Sequence, residues 1–296
     1  MMKPSFGVCI PNFGNNLSPK AVSAIATQAE EMEYDSVWIT DHLLLPSSQR
    51  YPYGKIFETL ATMAYVAALT ERVKIGSSVI VLTMRETVQV AKSLATIDVL
   101  SGGRVIAGLG AGWCEEEFQN VGMNFQNRGK RFDESILLMK KLWNGGEISF
   151  QGRYYKIVSG VFEPKPVQLS GIPIWVGGNS ERALQRALNL AEGWHFTGIP
   201  LNLLDQRLAG KNIPQNFVLS GRVTVDFTGK SPKIVKTRAG EERSIISGDV
   251  EEVVEQIGEY LERGISYFAV YFGDKTADKY IKDMELFEEE VIPGYV

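Results

Sequence analysis

Short uninterrupted apolar runs alternate along this chain with longer segments in which apolar residues recur at helical spacing. Residues 73–82 and 104–113 are two such runs, and the segment 85–100 between them has helical periodicity. The β-branched run 79–81 fits a strand buried on both faces, because branching at Cβ suits the pleated surface. Two such strands joined by one helix form a βαβ unit, in which the strands are parallel. The second run ends in residues 110–112, where glycines let the backbone approach a ligand closely.

The same alternation runs through the whole sequence and predicts eight strands separated by helices. The predicted strands are residues 6–10, 36–39, 73–82, 104–109, 172–176, 193–196, 217–227 and 267–271. Helices are predicted over residues 18–33, 57–69, 85–100, 131–143, 180–190, 201–208, 249–263 and 277–290. This pattern predicts a closed (β/α)₈ barrel, the TIM barrel, as a single domain over residues 1–296.

Two segments depart from the strand–helix alternation. Residues 146–171, between the fourth and fifth predicted strands, alternate like two strands around Gln151 and Gly152. They predict a hairpin inserted into the barrel rather than a second domain. Residues 229–247 are rich in lysine, glycine and charge, and they predict a mobile excursion after the seventh strand.

Composition limits the classes of protein and partner. The chain has 296 residues, of which 44% are hydrophobic and 22% charged, and a barrel of this type typically needs about 250. The net charge of −4 gives no positive field for nucleic acid or anionic lipid. No apolar run approaches the ~20 residues that span a bilayer, and the first strand begins too early for a signal peptide. The two cysteines, Cys9 and Cys114, fit reduced thiols, and no Cys/His spacing predicts a metal site. We therefore expect a cytoplasmic protein.

The chain has two histidines, His42 and His195, and both fall at or directly after the end of a predicted strand. In (β/α)₈ barrels the active site lies at the carboxyl ends of the strands, so both are candidate site residues. The alternative for each is a partly buried structural histidine. Asp41 either lines the same pocket or orients the loop through backbone hydrogen bonds.

A glycine-rich turn follows the fifth predicted strand and leads into a helix. It consists of Gly177, Gly178, Asn179 and Ser180. The glycines let the backbone turn closely, Asn or Ser caps the helix, and the amides at the positive helix end attract a phosphate. The alternative is an ordinary strand-to-helix cap, because the motif is neither G-x-G-x-x-G nor a Walker sequence.

A second glycine-rich turn follows the fourth strand. It consists of Gly110, Ala111, Gly112 and Trp113. Aromatic rings at a barrel mouth often stack on planar ligands, and the alternative is a packing turn with Trp113 in the core. The acidic residues 115–117 are interpreted as the first turn of a helix. Trp38, Trp175 and Trp194 are expected in the core.

Together these motifs resemble the luciferase-like monooxygenase superfamily, and within it the oxidoreductase branch that uses the deazaflavin coenzyme F-420. The resemblance covers nearly the whole chain and rests on residues 36–42, 75–82, 91–113, 128–143, 173–180 and 191–194. It implies a barrel with an inserted segment, a flat deazaflavin or flavin (FMN) ring lying across the strand ends, and a homodimer.

The resemblance also implies roles for individual residues. A non-prolyl cis peptide between Ser78 and Val79 would support the ring from a bulge in the third strand. The glycines after the fourth strand would border the cofactor, and the turn 177–180 would bind its phosphate. His42 is the predicted catalytic residue, as a proton donor or an electrostatic partner. Asp41 and His195 complete the predicted cofactor-binding set.

The implied reaction is hydride transfer between coenzyme F-420 and a small organic substrate. Trp113 stands where the sugar-phosphate dehydrogenases of this branch carry a catalytic glutamate, and the basic set that grips a sugar phosphate is not evident, which argues against that substrate. The alternatives are an FMN-dependent monooxygenase fed by a separate reductase and a non-catalytic flavin-binding protein. A phosphate-binding isomerase or aldolase is disfavoured, because no lysine stands convincingly at a strand end as a Schiff-base former.

Overall fold

The computed structural model describes residues 3–237 and 240–295 as a ring of parallel strands surrounded by helices. The strands are β1 (Ser5–Cys9), β2 (Ser36–Ile39), β3 (Lys74–Ser77), β4 (Ile80–Val81), β5 (Val105–Gly110), β6 (Glu147–Gln151), β7 (Lys156–Val161), β8 (Ile174–Gly177), β9 (Gly193–Thr197), β10 (Val218–Asp226), β11 (Ile234–Lys236), β12 (Glu242–Ser244), β13 (Ile246–Ser247) and β14 (Tyr267–Tyr271). The α-helices are α1 (Pro19–Glu31), α2 (Thr59–Leu69), α3 (Thr87–Ser101), α4 (Glu115–Asn120), α5 (Arg128–Asn144), α6 (Glu181–Leu190), α7 (Leu201–Leu208), α8 (Val250–Glu262) and α9 (Ala277–Leu286). Over the described residues, no helix is both long and apolar enough to cross a membrane.

Eight strands close into a barrel. The order around the ring is β10, β14, β1, β2, β3, β5, β8 and β9, and β9 pairs back with β10. All of these pairs are parallel, and the short β4 continues beyond β3 and pairs with β5. The predicted (β/α)₈ barrel is confirmed, and its carboxyl ends all open at one mouth.

Side chains along each strand alternate between the barrel interior and the layer beneath the helices. In β2, for example, Val37 packs in the outer core, whereas Trp38 points into the barrel. The interior cluster consists of Cys9, Trp38, Ile106, Trp175, Tyr267 and Ala269. Because these side chains fill the barrel, a ligand can reach only its ends, as is typical of this fold. Trp38, Trp175 and Trp194 are buried in the core, as predicted.

Local sequence signals start several helices where the pattern predicts. Ser18 caps α1 by accepting a hydrogen bond from the Ala21 amide at 3.1 Å, and Pro19 occupies the first helical position. Asp249 and Glu252 form a capping box at the start of α8. These caps stabilise the amide groups that a helix start leaves without partners.

The two irregular segments behave differently. The insertion forms the predicted antiparallel hairpin, β6 with β7, and its turn follows Gln151. Residues 229–247, predicted as a mobile excursion, contain the hairpin β11–β12 and the strand β13 beside β10, which the composition did not predict. The strand β12 consists of Glu242, Arg243 and Ser244, so its sequence carries no β-branched signal. Residues 238 and 239 lie outside the described residues.

Candidate functional site

The third barrel strand is interrupted at the mouth by a bulge between β3 and β4. The Ser78–Val79 peptide bond in this bulge is cis, as predicted. The Ser78 amide donates a hydrogen bond to the Ile39 carbonyl oxygen at 2.7 Å, which ties the bulge to β2. The Val79 side chain lies against Gly110 of β5 and Gly177 of β8. A Cβ atom added to either glycine would come within 2.7 Å of a Val79 methyl carbon. The two glycines therefore make room for Val79.

The turn 177–180 lies directly beside this bulge and is tied to neighbouring strands. The Gly178 amide donates to the His195 carbonyl oxygen at 3.1 Å, and Gly178 has a φ of +126°, a conformation that favours glycine. The Asn179 side chain bonds both the amide and the carbonyl of Thr197, at 2.9 and 2.8 Å. Ser180 caps α6 by accepting from the Ala183 amide at 3.2 Å. Both polar side chains thus hold the turn in shape, and an anion here would meet backbone amides and the helix dipole.

His195 lies beneath the bulge, inside the barrel. Its Nε2 is 2.9 Å from the Ser78 Oγ and its Nδ1 is 2.8 Å from the Ser220 Oγ, and the ring stacks on Trp38 at a centroid distance of 4.9 Å. Burial, aided by the nearby Arg222 charge, lowers the pKa of His195 to about 3. The imidazole is therefore neutral at physiological pH and fixes the position of the bulge from below.

Asp41 also supports the bulge. Its carboxylate accepts from the Val81 amide at 2.8 Å and from the Thr59 hydroxyl at 2.7 Å, and it forms a two-pronged ion pair with Arg85 at 2.7 Å. Each of its oxygens therefore already has two protein donors, and the aspartate side chain is fully buried. The Asp41 carboxylate therefore supports β4 through the Val81 amide. This corresponds to the alternative in which Asp41 orients the loop, because its oxygens are already bonded within the protein.

His42 forms a buried pair with a residue that the sequence analysis assigned no site role. Its Nδ1 lies 2.9 Å from the Glu117 Oε2, and the Glu117 side chain is only 2% exposed. Glu117 Oε1 accepts from the amides of Leu43 and Leu44 at 2.7 and 3.2 Å. Burial acts to raise the pKa of Glu117, but the hydrogen bonds from His42 and the two amides outweigh it and lower the pKa. Glu117 is therefore an ionised acceptor that fixes the His42 ring and its Nδ1 proton.

The one available signal for Glu117 was its place in the acidic run 115–117 at the start of α4. Glu115 and Glu116 are exposed, as the predicted acidic first turn requires, whereas Glu117 faces inward. A charge run does not itself show which member is buried. The helix register and the position of the loop after β2 decide this, and neither is visible in the local sequence.

Trp113 lies at the mouth and not in the core. Its side chain is 46% exposed, and its ring meets His42 edge-on at a centroid distance of 6.1 Å. The Tyr53 ring also contacts His42, at a centroid distance of 4.8 Å. The preceding Gly112 has a φ of +79°, and a Cβ atom there would come within 2.6 Å of the Phe118 ring. The glycine turn thus lets α4 fold back and brings Glu117 under His42.

The sequence analysis found no basic set, but three arginines, Arg128, Arg182 and Arg186, interact electrostatically near the start of α6, and Arg186 also pairs with the Asp133 carboxylate at 2.5 Å. Arg128 donates to the Gly112 carbonyl oxygen at 3.1 Å and lies 3.6 Å from the Phe125 ring centroid. Partial burial, together with the positive charges of Arg186 and Arg182, lowers the pKa of Arg128. Arg182 occupies the first turn of α6, so these cations adjoin the helix start that the phosphate prediction uses.

Comparisons with known proteins agree with this architecture. The profile of the luciferase-like monooxygenase family matches residues 5–210. An F-420-dependent glucose-6-phosphate dehydrogenase of Amycolatopsis mediterranei is 36% identical over 182 residues, which is 60% of this chain and 53% of that protein. An uncharacterized protein of Mycobacterium tuberculosis is 35% identical over 198 residues, 62% of this chain and 68% of that protein. The chain therefore aligns with only about half the length of the named dehydrogenase.

Solved structures with the same fold extend over the whole chain. An F-420-dependent secondary alcohol dehydrogenase, in complex with an F-420-acetone adduct, superposes with a TM-score of 0.82 at 20% identity and full coverage of both chains. The coenzyme F-420-dependent tetrahydromethanopterin reductase of Methanopyrus kandleri superposes with a TM-score of 0.79 at 20% identity, over 99% of this chain and 100% of that one. At this identity the likeness concerns the fold. The family match spans more than two thirds of the sequence, and the chain belongs to the luciferase-like monooxygenase family.

Proposed function

We propose that this protein is an oxidoreductase that uses coenzyme F-420 and transfers a hydride between the cofactor and a small organic substrate. The observation that carries the proposal is the contact between the two predicted halves of the cofactor site. The Val79 side chain lies against Gly177, so the bulge predicted to support the ring and the turn predicted to bind the phosphate adjoin at the same end of the barrel. The dehydrogenase of Amycolatopsis mediterranei gives this reading its support from sequence.

The residues present fit a planar ring with an anionic tail. Val79 offers an apolar contact to a flat ring. The glycines of the neighbouring strands carry no side chain that would project beside Val79. The turn 177–180 and the Arg128, Arg182 and Arg186 group offer amides and positive charge to the tail. When bound, the deazaflavin ring supplies the two-electron hydride chemistry. The protein supplies the platform and the tail site.

His42 is the proposed proton-transfer group at the reacting face. With its proton on Nδ1 the neutral ring accepts a proton at Nε2, and the doubly protonated ring beside the Glu117 carboxylate donates one there. Glu117 holds the Nδ1 proton, and no described residue hydrogen-bonds the Nε2 atom. The His42 ring contacts the rings of both Tyr53 and Trp113, which form the aromatic walls of the mouth. A substrate carbonyl or hydroxyl between these walls would meet Nε2, which can give or accept a proton as the carbon gains or loses a hydride.

Cofactor preference separates this proposal from its alternatives. We expect fluorescence titration of the purified apoprotein to show tighter binding of F-420 than of FMN, since the three arginines match a tail with several negative charges. Tighter binding of reduced FMN, with oxygen consumption and peroxide release, would instead support a monooxygenase. Binding of a flavin without turnover of any electron donor would support the flavin-binding protein. Binding of neither cofactor would refute the proposal.

A homodimer is also proposed, through the outer face of α2 and α3. Helix α2 is apolar nearly all round, and Tyr65 and Leu100 remain 45% and 71% exposed on this face. A surface groove of about 590 Å³ runs between the two helices. An exposed apolar face of this kind marks an interaction surface, and a second copy offers a matching face about a twofold axis. Light scattering should show a dimer that Leu100→Glu dissociates and that Leu137→Glu, on α5, leaves intact.

A further inference from the structure

Arg222 is a buried cation in the barrel that neither the ring platform nor the tail site uses. It lies on β10 two residues after Ser220, which bonds His195. Because alternate residues of a strand share a face, Arg222 points into the barrel one layer nearer to the mouth than His195. Its side chain is only 7% exposed.

The protein gives this guanidinium almost no counter-charge. Its Nη1 donates to the Thr40 hydroxyl at 2.9 Å, and its Cζ lies 5.1 Å from the Tyr271 ring centroid and 5.7 Å from the Phe13 ring centroid. Among residues 3–237 and 240–295, no carboxylate oxygen pairs with it.

The ionisable groups that interact with the guanidinium are Cys9 and three tyrosines, Tyr53, Tyr271 and Tyr280. Burial raises the pKa of Cys9 to about 11, and it also raises the pKa values of Tyr271 and Tyr280. Cys9, Tyr271 and Tyr280 are therefore uncharged at neutral pH. A guanidinium has five N–H donors, and a buried charge without an anionic partner is strongly unfavourable.

We propose that Arg222 binds the carboxylate of the substrate, and that the substrate is a small organic acid whose reacting carbon faces His42. This inference rests on the proposed oxidoreductase function and names its substrate class. A planar guanidinium is well suited to a carboxylate, because two of its N–H groups can bond the two oxygens at once.

An aromatic wall connects Arg222 to His42. Phe13 lies 5.6 Å from Tyr271 and 4.7 Å from Tyr53, and Tyr53 lies 4.8 Å from His42, all between ring centroids. A small molecule against this wall has a cation at one end, a proton-transfer group at the other and apolar surface between. This arrangement fits a short acid that carries a carbonyl, a hydroxyl or a double bond.

The position of Arg222 around the barrel favours the substrate over the cofactor. The ring platform and the tail site come from β3, β5 and β8. Arg222 and its contacts come instead from β10, β14, β2 and the segment after β1, which are consecutive around the other side of the ring. The same guanidinium could meet a negatively charged oxygen of a reduced ring, and the experiment separates the two sources.

The test compares acids with their uncharged amides. Lactate, pyruvate and benzoate, each with its amide, are titrated calorimetrically into the wild-type protein with and without bound F-420. We expect at least one acid to bind roughly ten- to hundred-fold more tightly than its amide. Arg222→Gln should abolish this preference while leaving F-420 affinity unchanged, and Arg222→Lys should restore part of it. Arg72→Gln, which changes an exposed arginine before β3 at the opposite end of the barrel, should behave like wild type.

Three results would overturn the inference. The first is a panel in which no acid binds more tightly than its amide. The second is an Arg222→Gln variant that binds F-420 more weakly yet keeps the acid preference, since Arg222 would then serve the cofactor. The third is a clear fall in the melting temperature of cofactor-free Arg222→Met, because removing an unpaired buried charge should leave the fold as stable or more so. If neither F-420 nor FMN binds, the oxidoreductase proposal fails, while the acid preference is still measured on the protein alone.

Discussion

Replacing Glu117 by glutamine tests whether a buried carboxylate sets the state of His42. The glutamine oxygen can still accept from the Leu43 and Leu44 amides, which leaves its NH₂ group facing the His42 Nδ1 atom. An NH₂ group can only donate, so His42 must then accept at Nδ1 and carry its proton on Nε2. The substitution keeps the shape of the side chain. It removes the neutral tautomer whose Nε2 accepts a proton, and it removes the carboxylate that would stabilise the doubly protonated, donating ring.

The size of the effect follows from the bond that changes. A hydrogen bond to a charged group contributes about 1.5–3 kcal/mol and a neutral one about 0.5–1.5 kcal/mol, so the net loss of stability is about 1–2 kcal/mol. With an unfolding entropy of about 2.1 cal/mol/K per residue over 296 residues, the melting temperature should fall by about 2–3 °C. Because a positioned acid or base contributes about 10²–10⁴-fold to a rate, hydride transfer should slow by about 100-fold or more.

The pH dependence gives an independent readout. The folded protein lowers the pKa of Glu117, so its carboxylate contributes stability that is fully present at neutral pH. That contribution disappears as the pH falls through the lowered pKa of the folded state. The stability gap between wild type and Glu117→Gln should therefore close in acid, as measured by denaturant unfolding.

The assay combines ¹⁵N NMR of the His42 ring, calorimetry and F-420-dependent turnover. Glu116→Gln is the matched control, since Glu116 lies one position earlier in the same helix and is exposed. The reasoning is refuted if His42 keeps its proton on Nδ1 in Glu117→Gln, or if both variants lose the same amount of activity.

Three further results are expected. The unfolding free energy should fall as the pH drops from ~6.5 towards about 3, because in this range the unfolded chain protonates His195 and the folded protein does not. Acid denaturation curves of His195→Asn should lack that part of the slope. Gly177→Ala should weaken F-420 binding by about 5- to 150-fold, since an added methyl group displaces Val79, whereas Gly146→Ala, in open space, should bind normally in fluorescence titrations. Arg128→Gln should weaken F-420 more than FMN and reduce the salt dependence of F-420 binding; an equal loss for both ligands would contradict a polyanionic tail site.

Several features of the fold followed from local sequence alone. The alternation of apolar runs with helical segments specified the eight strands, because burial on two faces requires uninterrupted apolar residues. Ser18 with Pro19, and Asp249 with Glu252, marked helix starts through contacts within four residues. The short strands within residues 229–247 were not predicted from the sequence. They lie in charged, glycine-rich sequence, and they form by pairing with β10 and with each other.

The sequence by itself therefore determined the barrel and the glycine turn, which depend on periodicity or on backbone freedom at short range, whereas the bulge followed from the family resemblance. Only the tertiary structure decided the partners: Glu117 meets His42 from 75 residues away, Asp41 meets Arg85 from 44 residues away, and Arg222 meets Thr40 but no carboxylate within the described chain. The physical reason is that the burial and pairing of a charge depend on which strand ends the closed barrel brings together, and no local pattern records that distance.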